Sequence, residues 1–240
     1  MNLPQGHAEL TSLAALGDAT RRQLYEYVAA RRAGVGRDEA ARAAGISRML
    51  AAFHLDKLVA AGLLVPEYRR LTGRSGPGAG RPSKLYRRSP RQISVMLPPR
   101  RYADAARLMG TALEAAGPRA IRALHQAAQA LGRDMGKAAR ELAGPRSGRD
   151  RLLAAGEEVL RDYGFEPGRA NGDVLLHNCP FDDLTREHRE TVCHLNAELL
   201  SGFLRRLKVR GLRAQLAPGA DRCCVVLRGP TAPRPSRGNA

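Results

Sequence analysis

The chain has 240 residues, a formal net charge of +17 and a sequence pI near 11.0, so it can hold one large or two modest domains and favours an acidic polymer as partner. No apolar run approaches the ~18 residues of a membrane-spanning helix, and Met1-Asn-Leu-Pro-Gln-Gly-His has neither the basic nor the apolar block of a secretory signal; the expected setting is the cytoplasm, with no membrane partner. Trp is absent and aromatic residues make up 4%, which argues against a stacking platform for single-stranded nucleic acid.

Residues 1–7 read as a loose lead. Leu10, Leu13 and Leu16, then Leu24, Tyr27 and Val28, fall at helical spacing on either side of Gly17-Asp18, where Asp18 can cap the second of two helices. From Arg37 a short helix follows, with Ala40, Ala43 and Ala44 small enough for a close helix crossing. Gly45 supplies a sharp turn, and Ser47 can cap the next helix, which carries Ala51, Leu55 and Leu58 on one stripe and stops at Gly62. Leu63, Leu64 and Val65 make a short strand. From Arg69 to Arg101 the chain then holds ten Lys or Arg and no Asp or Glu, a run that repels itself without an anionic partner. Its tip, Gly73-Arg-Ser-Gly-Pro-Gly-Ala-Gly-Arg-Pro, is too rich in glycine to pack a core, so a β-hairpin wing returning through Lys84-Leu-Tyr-Arg is the economical reading.

The fold class expected is α+β: an N-terminal winged helix-turn-helix over 8–97, a helical connector over 98–148 that could pair across a dimer, an α+β sensor domain over 149–228 and a disordered tail over 229–240. Pro98-Pro99 marks the first boundary, and Ala-rich amphipathic helices are expected at 100–117 and 118–142. Beyond Gly144-Pro-Arg-Ser-Gly, helices are expected at 149–163 and 188–207. Strands are expected at 173–177, 212–216 and 223–227.

Candidate DNA contacts follow from helix-turn-helix geometry, in which the start of the second helix enters the major groove. Arg48, flanked by Ser47 and Met49, can make a bidentate contact to guanine; Phe53 can touch a thymine methyl, while Lys57 suits a phosphate. His54, between Leu50 and Leu58 at helical spacing, reads as a packed residue satisfied by hydrogen bonds. In the wing, Arg74, Arg81 and Lys84 suit phosphates or the minor groove.

The second chemistry lies in the cysteines. Cys179 follows a predicted strand in His177-Asn-Cys-Pro-Phe, Cys193 stands near the start of a helix in Thr191-Val-Cys-His, and Cys223-Cys224 head another strand. Three separated elements thus present thiols, which suit a soft metal or an iron-sulfur cluster once the domain folds. The spacing lacks the tight CxxC pairing of a zinc ribbon, and buried structural or redox cysteines are the bland alternative. Side chains alternate along a strand, so one of Cys223 and Cys224 is expected at the site, with His177, His188, His194 or Cys224 open as a fourth ligand.

Phe53-His-Leu-Asp-Lys-Leu with Ala61-Gly-Leu-Leu, the glycine-rich tip with Lys84-Leu-Tyr-Arg, and then Asn178-Cys-Pro-Phe, Val192-Cys and Arg222-Cys-Cys-Val resemble the SufR-like branch of ArsR-type winged helix-turn-helix transcriptional regulators across about residues 8 to 228. The resemblance implies a homodimeric repressor that binds a double-stranded operator. It also implies an iron-sulfur cluster on Cys179, Cys193 and Cys223 that couples cluster or redox status to operator binding, with iron-sulfur assembly genes as targets. The alternatives are a regulator sensing an organic small molecule, with zinc or no metal at the cysteines, and, more remotely, a cysteine-dependent enzyme. Catalysis is not expected, because Cys193 and His194 are sequence neighbours on a helix and point about 100 degrees apart.

Overall fold

A computed structural model describes residues 4–70, 82–96, 100–219 and 222–230. The chain divides into two compact units, residues 1–100 and 101–240. Both are mixed α+β, and each holds a small antiparallel sheet.

In the first unit the helices are α1 (Pro4–Ala15), α2 (Ala19–Ala29), α3 (Arg37–Ala44) and α4 (Arg48–Ala60), and the strands are β1 (Val35–Gly36), β2 (Leu64–Arg69) and β3 (Ser83–Arg88). Helix therefore begins at Pro4, inside the stretch expected as a loose lead. Asp18 accepts a hydrogen bond from the Arg21 N–H at 2.8 Å and starts α2. Gly45 takes a left-handed φ of 64°, a conformation costly for a side chain with a Cβ, and turns the chain between α3 and α4. Ser47 then accepts from the Leu50 N–H at 3.2 Å. In α3 the fully buried Ala40 is joined by Ala41, while Ala43 is exposed, because the buried stripe runs from Ala40 through Ala44 to Ala41 and Ala43 lies about 100° from its middle.

The sheet runs β1-β3-β2, with Leu64 opposite Arg88 and Arg69 opposite Ser83. Leu24, Val28, Leu55, Leu58, Leu64 and Tyr86 close the core against it. The hairpin tip, with Arg74 and Arg81, lies outside the described residues, as do Pro98-Pro99 and the tail from residue 231.

The second unit begins with α5 (Tyr102–Ala115) and α6 (Pro118–Ala143), so the stretch expected as a connector belongs to this unit. Then come α7 (Arg149–Asp162), β4 (Pro167–Ala170), β5 (Asp173–Leu176), a 3-10 turn (Asp182–Arg186), α8 (Arg189–Leu207), β6 (Arg213–Leu216) and β7 (Val225–Arg228). The sheet order is β4-β5-β7-β6. Strand β4, which the sequence reading omitted, is turned back onto β5 by Asn171-Gly172, both at positive φ, as a two-residue hairpin requires.

Helices α6 and α8 meet backbone to backbone. A Cβ on Gly132 would stand 1.9 Å from the Leu199 carbonyl oxygen, one on Gly136 2.4 Å from that of Phe203, and one on Gly202 2.3 Å from that of Gln129. Met135, Leu199, Leu200, Phe203 and Leu207 fill the core around this crossing. The crossing fixes the α8 face that carries Cys193. No helix among the described residues is long and apolar enough to cross a membrane.

Candidate functional site

Three segments of the second unit bring the cysteines together. Cys179 follows the end of β5 by three residues, and the Cys223 N–H donates to the carbonyl of Leu176, the last residue of β5, at 2.8 Å. This bond places the two cysteine segments at one end of the sheet. Helix α8 supplies Cys193 and, one turn later on the same side, Asn196. None of the four cysteines is in a disulfide; Cys223 and Cys224 are buried, Cys179 and Cys193 half-buried.

Cys223 is the hub. Its Sγ accepts hydrogen bonds from the Cys179 and Cys224 thiols, from the Val225 N–H at 3.4 Å and from Asn196 Nδ2 at 3.1 Å. The thiol donors first, with the two N–H groups behind them, outweigh burial and hold Cys223 well below the ordinary thiol value. The same bonds, together with desolvation, push the Cys179 and Cys224 thiols up. Cys193 completes the group through a hydrogen bond with Cys224. Both members of the Cys223-Cys224 pair thus reach the same group of thiols. Strand alternation does not separate them, since β7 starts only at Val225 and the pair lies in the irregular turn before it.

The histidines stand differently. His188 is buried, with Nδ1 3.0 Å from Glu114 Oε2 and Nε2 3.1 Å from the Arg107 carbonyl oxygen, so both ring nitrogens serve to tie α5 to the start of α8. His194 stacks on His125 with 6.3 Å between ring centroids, and the His177 N–H donates to the Glu166 carbonyl at 2.8 Å.

Among the described residues no three His, Cys, Asp or Glu side chains are set to hold a single metal ion. A polynuclear cluster makes a different demand, because each thiolate meets its own iron and the sulfurs need not point at one centre. Four soft sulfur donors, with backbone and amide N–H groups to support them, fit that demand.

Sequence reasoning missed Asn196, although a polar residue on the Val192–Leu199–Phe203 stripe was a visible signal. It is fully buried, and its Oδ1 has no hydrogen-bond partner among the described residues. An orphaned buried acceptor costs about 1–3 kcal/mol.

The first unit offers a second surface. On α4, Ala51, His54, Leu55 and Leu58 face the core, while Met49 is 83% and Phe53 53% exposed. His54 is packed as expected, but its Nδ1 has no hydrogen-bond partner among the described residues. Lys57 stands over the Phe53 ring, 5.6 Å from its centroid. Arg48 Nε lies 2.7 Å from Asp38 Oδ1 of α3, both side chains more than half exposed. Lys84, expected on a phosphate, pairs with Asp56 at 2.6 Å, and the Tyr86 hydroxyl donates to the same carboxylate oxygen at 2.9 Å.

Set against protein-family models, curated proteins and solved structures, the chain matches none.

Proposed function

We propose that this chain is a DNA-binding transcriptional regulator, a homodimeric repressor of the winged helix-turn-helix kind and not an enzyme, whose second unit holds an iron-sulfur cluster that governs operator binding. The observation that carries the DNA half is the outward face of α4. Right after a left-handed turn and a serine cap, it presents Arg48, Met49, Phe53 and Lys57 to solvent, where two exposed apolar side chains serve no core. A guanidinium, an ammonium and apolar groups spread over the exposed half of α4 suit guanine, phosphate and thymine methyl in a major groove. The acid-free run of ten cations from Arg69 to Arg101 supplies the accompanying phosphate attraction. Operator choice then rests on α4, and affinity on the cations around it.

The cluster half rests on the four thiols gathered at the end of the second sheet. When bound, the cluster supplies one-electron and oxidant-sensitive chemistry. The chain's own part is to lower the cost of ionising Cys223, to surround it with N–H donors, and to exclude bulk water through burial of Cys223 and Cys224. The resemblance of these segments to SufR-like regulators agrees with this reading.

Two measurements test it. Selection from random duplexes followed by binding at several salt concentrations should return a two-fold symmetric site, with log K falling by about 0.9 per phosphate contact for each decade of salt. Protein purified without oxygen should be brown, with matched iron and sulfide, and should change its operator affinity when the cluster is lost. Salt-insensitive binding overturns the first half; colourless protein that also fails reconstitution overturns the second.

A further inference from the structure

Asn196 occupies a position on α8 where a leucine would fill similar space and leave no polar atom to satisfy, yet its amide is kept with Oδ1 unpartnered among the described residues. What the amide does make is the 3.1 Å hydrogen bond from Nδ2 to Cys223 Sγ, with Cys179 Sγ 4.0 Å from the same nitrogen. We infer that Asn196 is a positioning residue of the thiolate site: it holds the Cys223 sulfur in place and draws charge from it, and so raises the reduction potential of a bound iron-sulfur cluster. This rests on the cluster reading above.

Loading changes which donors reach the Cys223 sulfur. Without metal, Cys223 Sγ accepts from two thiols and two N–H groups. A cysteine ligates as its thiolate, so whichever of Cys179 and Cys224 becomes a ligand gives up the S–H that it had donated to Cys223. The Val225 N–H, at 3.4 Å, and the shorter Asn196 bond remain. The amide's share of the charge on sulfur therefore grows when the site is filled. Hydrogen bonds to ligand sulfur make an added electron less costly and move the potential upward.

Full-length Asn196→Leu and Asn196→Asp test this, with Asn196→Gln as the variant that keeps an amide. After reconstitution without oxygen, all are expected to hold wild-type amounts of iron and sulfide. In a redox titration followed by visible absorption, the Leu and Asp variants should have a more negative midpoint, and the Gln variant one nearer to wild type. The Asp variant matches asparagine in shape and carries the test if the Leu variant does not fold.

Metal-free protein gives a second readout through the reactivity of the Cys223 sulfur that the amide holds. Iodoacetamide should then modify Cys223, followed by peptide mass spectrometry, roughly fivefold faster in the Leu variant, the factor that one ordinary hydrogen bond carries. Midpoints and alkylation rates that match wild type in both variants overturn the inference. Should wild-type protein take up no iron and sulfide, the cluster reading falls, and equal alkylation rates would overturn the hold on Cys223 as well.

Discussion

Two of the cations suited to DNA are already paired with carboxylates of their own unit, and the pairs differ in what they do. Arg48 and Asp38 are both more than half exposed, so their 2.7 Å contact adds little to stability. On the proposed DNA face Asp38 would orient the guanidinium and repel phosphate. Asp38→Asn should therefore raise affinity for non-specific duplex and steepen the salt dependence by about 0.9 in slope, as one more cation becomes free to meet phosphate. Arg48→Ala should relax preference at one base pair by ~1–3 kcal/mol, read from binding to single-position operator variants. The Asp56 pair acts within the fold, because Lys84 and Tyr86 of β3 join α4 to the sheet through it. Burial alone would raise the Asp56 carboxyl, but the Lys84 and Tyr86 hydrogen bonds outweigh it and hold the group below the ordinary 3.8. A depressed carboxyl contributes stability that is present above the unfolded value and is lost as pH falls through the folded one. Asp56→Asn should thus lower the melting midpoint at neutral pH and converge with wild type as pH falls through and below the depressed carboxyl value. A constant offset at every pH would refute the assignment.

Helix packing in the second unit depends on glycine where other helices use side chains. Gly132, Gly136 and Gly202 let α6 and α8 touch through their backbones, and Gly132 is the tightest, its absent Cβ only 1.9 Å from a carbonyl oxygen. Gly132→Ala has no soft neighbour to displace. It should destabilise the unit by about 3 kcal/mol, the upper end of overpacking costs, and lower iron uptake with it, because α8 carries Cys193 and Asn196. Chemical unfolding and iron content of the same preparation measure both. Helix α5 is held differently: it has no buried residue, and its ties to the 3-10 turn and the start of α8 run through Arg107 to Asp183 and Glu187, and through Glu114 to His188 and Thr191. These ties grip the stretch between Cys179 and Cys193. Glu114 sits below the usual carboxylate range, through the Thr191 hydroxyl first and His188 second.

Each unit has its own closed core, Leu55, Leu58 and Tyr86 in the first and Met135, Leu200 and Phe203 in the second, so the two should answer separately to insult. A ligand that binds only the folded state stabilises what holds it. Removing iron should therefore lower the melting transition of the second unit and leave that of the first in place. Cys193→Ser should lose iron while keeping salt-sensitive duplex binding, as assayed by iron analysis and fluorescence anisotropy. Wild-type iron content in that variant would remove Cys193 from the ligand set.

Local chemistry made much of this legible in the amino-acid order. The Asp18 and Ser47 caps, the Gly45 turn, the Ala51–Leu55–Leu58 stripe and the spans of α5 to α8 are short-range matters of periodicity and capping, and the structure follows them. Strand β4 was equally readable from Asn171-Gly172 and was overlooked because Pro167-Gly-Arg-Ala has no apolar alternation. Tertiary structure alone decided the rest. Lys84 meets Asp56 across 28 positions, His188 meets Glu114 across 74, and Cys223 meets Asn196 across 27, none of them separations that a helix or strand period can reach. The direction of Cys224 depended on where β7 begins, and the lowering of the Cys223 thiol on four donors from segments that only the folded sheet and α8 bring together. Periodicity carries information over a few residues; a buried charge is set by everything packed around it.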